Sequence, residues 1–177
     1  MKLKVIFVML FSSLLLVACS NSENSDNTLE REQAANIKKL VHGYSSGKLE
    51  AKSASITPQK LTIVNSKGKE KIYELTGEKF FASIAPYVNQ THPCTYHSLT
   101  GCQGEMAKEE FTVYIKDRNG NVVVDKKMTS QDNGFIDLWV PRNENYSITI
   151  THKGKRVESQ FSTFSDDPTC LTNMQLS

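Results

Sequence analysis

Four cysteines stand in the chain, Cys19, Cys94, Cys102 and Cys170, and two of them lie in a stretch rich in Thr, His and Gly. His92 and His97 flank Cys94, Met106 follows Cys102 by four residues, and Met174 follows Cys170 by four. Thiolate and thioether donors select soft metals, Cu(I) foremost among those satisfied by two or three sulfurs, while imidazole suits Cu and Zn alike. The spacing Cys94-x7-Cys102 is too long for a structural zinc site, whose paired cysteines are about two to four residues apart. One reading therefore groups Cys94, Cys102 and Cys170 around a copper ion, with His92, His97, Met106 and Met174 as available extra donors. Another pairs Cys94 with Cys102 as a disulfide across the loop, which adds roughly 2.5 kcal/mol by loop entropy and leaves Cys170 a packed thiol. The residue types alone leave both open.

The same sulfurs have redox chemistry. Cu(II) prefers nitrogen and oxygen donors, whereas thiolates favour Cu(I). Two thiolates, most simply Cys94 and Cys102 in one loop, can give up electrons and join as Cu(II) is reduced; alternatively all three can remain thiolates and hold Cu(I). His97, three residues after Cys94, is a candidate first contact for Cu(II). Repeated reduction requires an external thiol donor, such as a thioredoxin-like partner. The chain itself has no Cys-x-x-Cys pair in a βαβ pattern, and it shows no Ser/His/Asp arrangement, phosphate loop or paired-carboxylate motif. A reading of another class makes it a disulfide-stapled module that recruits a protein without metal chemistry.

Cys19 belongs to different chemistry. Lys2 and Lys4 precede an uncharged run from Val5 to Val17, the layout of an export signal, and that run is shorter than the about 20 residues a span requires. Leu16-Val17-Ala18-Cys19 resembles a bacterial lipobox, so residues 1–18 are expected to be a cleaved signal peptide and Cys19 the site of lipid attachment. A multiply acylated cysteine holds stably to a membrane, because each buried methylene contributes about 0.8 kcal/mol. The expected location is the extracytoplasmic face of a bacterial membrane, where an odd number of remaining cysteines suggests a reactive thiol or a metal ligand. Residues 19–27 are polar and read as a tether. Removing residues 1–18 takes two of the 21 basic residues and none of the 19 acidic ones, leaving 19 against 19. A neutral domain has no electrostatic reason to gather on nucleic acid.

Elements that position the cysteines follow from the periodicity. Ala34, Ile37, Leu40 and Val41 predict a helix over Leu29 to His42, opened by Asn27 and Glu30 in capping-box register and closed at Gly43. Lys60 to Val64 and Ile72 to Leu75 flank a turn-forming stretch and predict a hairpin. Phe80, Phe81, Ile84, Tyr87 and Val88 predict a second helix within Gly77 to Val88, ending before Pro86. From Phe111 the period becomes two, and strands are predicted at Phe111 to Lys116, Val122 to Met128, Phe135 to Val140, Tyr146 to His152 and Arg156 to Thr163. Trp139 is expected in the core of these strands and Asp137 on an exposed face. The fold class read here is α+β: a small N-terminal α/β module, residues 28–89, followed by an all-β sandwich-like module, residues 90–177, that opens with the cysteine-bearing loop.

Three blocks carry a family resemblance: His92-Pro93-Cys94 through Thr100-Gly101-Cys102-Gln103-Gly104-Glu105; Asn133-Gly134-Phe135-Ile136 with Leu138-Trp139-Val140-Pro141-Arg142; and Thr169-Cys170-Leu171-Thr172. Together they resemble the CueP family of exported copper-resistance proteins. The resemblance implies that Cys94, Cys102 and Cys170 bind copper. It also implies reduction of Cu(II) to Cu(I) by these thiols and delivery of copper to an exported enzyme such as a superoxide dismutase. The lipobox at Cys19 departs from the family's soluble periplasmic members and points to a tethered variant acting in copper resistance or trafficking.

Overall fold

A computed structural model describes residues 22–177; the signal segment, the lipobox and Cys19 lie outside the described residues. One helix, α1 (Ser22–Ser45), precedes eleven strands: β1 (Ser53–Ile56), β2 (Lys60–Val64), β3 (Glu70–Glu74), β4 (Lys79–Tyr87), β5 (His97–Ser98), β6 (Glu110–Asp117), β7 (Val122–Thr129), β8 (Ile136–Pro141), β9 (Asn145–His152), β10 (Lys155–Ser162) and β11 (Cys170–Gln175). They form three sheets, ordered β3-β2-β1-β5, β10-β9-β6-β7 and β11-β4-β8. Among the described residues no helix is long and apolar enough to cross a membrane.

The helix α1 overruns the predicted one at both ends. At its start it reaches back to Ser22, through much of the stretch expected to be a tether. At its end Gly43 is not the stop. It is buried inside the helix, with the Leu49 side chain lying where its Cβ would stand. The chain turns later, at Gly47, whose φ of +66° is the left-handed conformation that terminates helices.

The predicted second helix is strand β4. Its residues from Phe80 to Pro86 are all buried, because β4 is the middle strand of its sheet and both of its faces are covered. A short apolar run of that kind has no alternation, and its sequence does not separate a fully buried strand from a buried helix. Pro86 is tolerated because β8 pairs only up to Ile84, leaving one side of β4 without a partner strand there.

β4 and β8 form a wall between two cores. Phe80, Ala82 and Ile84 of β4, with Ile136, Leu138 and Val140 of β8, face the larger core, which the β10-β9-β6-β7 sheet closes with Phe111, Val113, Ile115, Ile148 and Ile150. The sandwich expected from the period-two strands is therefore present, but β4 supplies the middle strand of one of its layers. Phe81 faces the smaller core, beneath α1 and the β1–β3 sheet, with Ile37, Val41, Ile56 and Leu61. Burying each such side chain stabilises the fold by about 1.5–3 kcal/mol relative to exposing it. Trp139 packs on this second side, 5.1 Å from the Phe81 ring and under the Lys38 ammonium, not in the sandwich core as expected. Asp137 is not on an open face either: Ser83 Oγ and Gln131 Nε2 donate to its carboxylate, each at 2.6 Å. Arg142 fastens the end of β8 to the hairpin region, donating to the carbonyls of Pro58, Leu75 and Gly77.

Candidate metal centre

On the α1 side of the wall, the row of side chains along β4 runs Phe81, Ser83, Ala85, and the third of these joins Phe135 and Cys170 in a small apolar cluster against which Cys94 and Cys102 pack. The cluster is the floor of the site. Its other walls come from the segment between β4 and β6, which contains almost no regular structure and is held by individual contacts.

Glu105 anchors that segment. Its carboxylate accepts hydrogen bonds from the backbone N–H groups of Val88 (2.7 Å), Asn89 (2.9 Å) and Gln90 (3.3 Å) and from Asn89 Nδ2 (2.8 Å). These donors, the Asn89 N–H foremost, hold its pKa down at about 2. Gly104 N–H donates to the Asn133 carbonyl at 2.7 Å. Gly104 and Gly134 pass so closely that a Cβ on Gly134 would stand 2.6 Å from the Gly104 carbonyl oxygen, and Gly134 has φ +79°. Only glycine meets both demands, and the approach seats the Cys102 segment over Phe135. A tight turn, with Cys102 N–H donating to the Ser98 carbonyl at 3.0 Å, then brings the Cys102 sulfur back over Ser98 N–H at 3.4 Å.

Cys170 arrives from the far end of the chain. It opens β11, which runs parallel to β4 with Cys170 opposite Ser83, and its N–H donates to the Thr95 carbonyl. The preceding Thr169 is fully buried and links three segments: its hydroxyl donates to the Ile56 carbonyl (2.7 Å) and accepts from His97 N–H (3.0 Å). That bond, together with the pairing of β5 with β1, turns His97 inward.

The outcome is a compact donor group. One ligand atom each from Cys94, His97, Cys102 and Cys170 lies within 4.8 Å of all the others. Cys94 and Cys170 form a disulfide, with Cα atoms 5.6 Å apart and 76 residues between them in sequence. Closing a loop of that length contributes about 4.5 kcal/mol on the chain-entropy model. Cys102 is the free cysteine among the described residues, with its sulfur 3.5 Å from that of Cys94. The partner of Cys94 is therefore Cys170, not Cys102 as the shorter loop suggested, because β11 brings the distant sulfur onto the same floor. Cys94 and Cys102 are half-buried, whereas His97 and Cys170 are buried.

His97 carries the clearest electrostatic signature. Its ring lies 4.4 Å from that of Phe135, its Nδ1 is 3.6 Å from Cys170 Sγ, and its Nε2 is buried without a partner. Burial, assisted by nearby His92, lowers its pKa to about 3, so the imidazole is neutral and able to ligate. Burial raises the pKa of the Cys102 thiol, with Ser98 N–H opposing; a soft cation would displace that proton on binding. With the disulfide reduced, three thiolates and one neutral imidazole would make a donor set suited to a soft cation.

The remaining predicted donors fall outside this group. His92 is a neighbour whose ring lies 6.2 Å from Phe135 and whose Nε2 is also buried without a partner. Met174 is fully buried in the larger core, and Met106 packs against that core. Glu105, Thr169, Phe135 and the Gly104–Gly134 contact are positioning features that residue chemistry did not single out, although all of them fall within the three blocks that carry the family resemblance.

A sequence profile described as periplasmic copper-binding protein CueP matches residues 37–175. The crystal structure of S.CueP superposes with a TM-score of 0.75 at 36% identity, covering 90% of this chain and 100% of that one. No curated protein matches the chain. With the profile spanning most of the sequence and the solved relative aligned over its full length, the chain belongs to the CueP family of periplasmic copper-binding proteins.

Proposed function

We propose that this protein captures copper outside the cytoplasm, holding Cu(I) on Cys94, Cys102 and Cys170 when all three are reduced, and that it is tethered to the membrane through a lipid on Cys19. The observation that carries the reading is the convergence of three sulfurs and the His97 imidazole within 4.8 Å. Cys94, His97 and Cys102 lie on the segment between β4 and β6, and Cys170 is brought to them by β11. A second activity, reduction of Cu(II), draws support from the disulfide: two of the three sulfurs are close enough to join, so they can deliver two electrons to two Cu(II) ions. Cys94 and Cys170 are the pair that would do so. A thioredoxin-like dithiol would restore them, and an exported copper enzyme or transporter would receive the metal.

A second reading, a disulfide-stapled binding module without metal chemistry, is favoured by one fact alone, that the Cys94–Cys170 disulfide is formed. Titration of the reduced protein with Cu(I) against a competing chelator separates the two. The copper reading expects tight binding of wild type, weakened at least tenfold, about 1.4 kcal/mol, in each of Cys94→Ser, Cys102→Ser and Cys170→Ser. Binding of wild type no tighter than that of the three variants would sink it and leave the staple.

A further inference from the structure

Electron donation and metal retention make opposite demands on the same sulfurs. A sulfur in a disulfide no longer offers a thiolate. If all three cysteines were equivalent, oxidation of any two would leave a lone thiol, and the copper just reduced would be lost.

In this structure the sulfurs are not equivalent. Cys94 and Cys170 are joined, and beside them stand the Cys102 thiol and the His97 ring, the latter buried with one nitrogen unpartnered. These two retain a soft and a borderline donor within 4.8 Å of each other. Two donors suffice for Cu(I), a d10 ion content with low coordination. Phe135 and Ala85 lie behind the pair, shielding a bound ion from water.

The position of Cys102 also suits it to ligation rather than to disulfide exchange. Exchange requires the attacking sulfur to approach along the S–S axis. With a sulfur–sulfur bond of about 2 Å, an attack on Cys94 from 3.5 Å away would place Cys102 roughly 5.5 Å from Cys170 Sγ. Its sulfur instead lies within 4.8 Å of both, to one side of the bond.

We infer that the site divides its labour: Cys94 and Cys170 are the electron-donating pair, and Cys102 with His97 is a retaining pair that keeps one Cu(I) bound in the oxidised protein. The inference rests on the copper-handling reading and deepens it. Two Cu(II) ions take one electron each from the Cys94 and Cys170 thiolates, the S–S bond forms, and two Cu(I) ions result. One of these stays on Cys102 Sγ and a His97 ring nitrogen, which releases the Cys102 proton to solvent, and the other leaves.

The test is a silver titration, Ag(I) standing in for Cu(I) without redox chemistry, of the chain with its disulfide intact and verified by thiol counting. Oxidised wild type is expected to bind one equivalent against a competing chelator. Cys102→Ser is expected to abolish that binding, and His97→Ala to weaken it about tenfold, with added imidazole restoring it. A wild-type far-UV circular dichroism spectrum and a cooperative urea transition in both variants show that they remain folded. Silver binding by reduced but not oxidised wild type overturns the division of labour and leaves the copper reading standing; silver binding by neither form overturns both. Binding to the oxidised form that survives Cys102→Ser also overturns the inference, because the retaining donors would then lie elsewhere.

Discussion

The β10-β9-β6-β7 sheet and the segment from Val88 to Met106 rest against the same two strands, β4 and β8, yet they are held in place by different means. Continuous ladders support the sheet, along with an alternation that sends Phe111, Val113 and Ile115 inward from β6 and Ile148 and Ile150 inward from β9. Each contact there is one of many. The segment has only the two-residue strand β5 and depends on singular contacts: one carboxylate taking four N–H donors, one glycine–glycine approach, one buried threonine and one disulfide. The larger hydrophobic core lies in the first region and the geometry of the sulfur cluster in the second, so the two should respond to different substitutions.

Among substitutions that leave the Cys94–Cys170 disulfide in place, the largest effect on stability should come from the sheet. Ile150→Ala removes a fully buried side chain and should cost about 3 kcal/mol, read as a lower midpoint in urea. The folded fraction should still bind silver with wild-type stoichiometry; loss of binding in that fraction would mean that the two regions are not separable. Gly134→Ala should cost less, at least about 1 kcal/mol, because the new Cβ demands a left-handed backbone and collides with Gly104. It should nonetheless weaken silver binding more than Ile150→Ala does, since Gly104 carries the Cys102 segment. The smallest effect should come from Glu105→Gln and should depend on pH. The folded-state pKa of Glu105 lies near 2, below its ordinary value of 4.5. Its contribution is therefore fully present above about pH 4.5 and lost as the pH falls towards about 2. Thermal melts of wild type and Glu105→Gln from pH 6 to pH 2 should converge at the acid end; a gap that does not narrow would assign the effect to shape instead of charge.

Legibility followed the same division. The β6, β7, β9 and β10 strands each fall within a residue or two of the bounds predicted from alternation, because a half-buried strand writes its faces directly into its sequence. β4, buried on both faces, writes no such pattern, and its apolar run is equally compatible with the predicted helix. Gly43 looked like a helix stop because glycine often is one; here it makes room for Leu49, a long-range requirement that local sequence does not contain. At the site the cysteines are identifiable by type, and His97 is one of four available extra donors, set apart only as a candidate first contact for Cu(II) by its place three residues from Cys94. What separates His97 from His92, Met106 and Met174 is burial beside Phe135 and a place on β5, neither of which spacing reveals.

By itself, then, the sequence determined which atoms are available: three thiols beyond Cys19, two imidazoles and two thioethers near them, and a set of strands able to form a sandwich. It determined these because residue chemistry and local periodicity are properties of short stretches. Only the tertiary structure decided that Cys170, 76 residues away, is the sulfur bonded to Cys94, and that Cys102 and His97 remain beside them. Such partnerships depend on the parallel pairing of β11 with β4 and on the close passage of Gly104 and Gly134, contacts whose sequence separation erases any local trace.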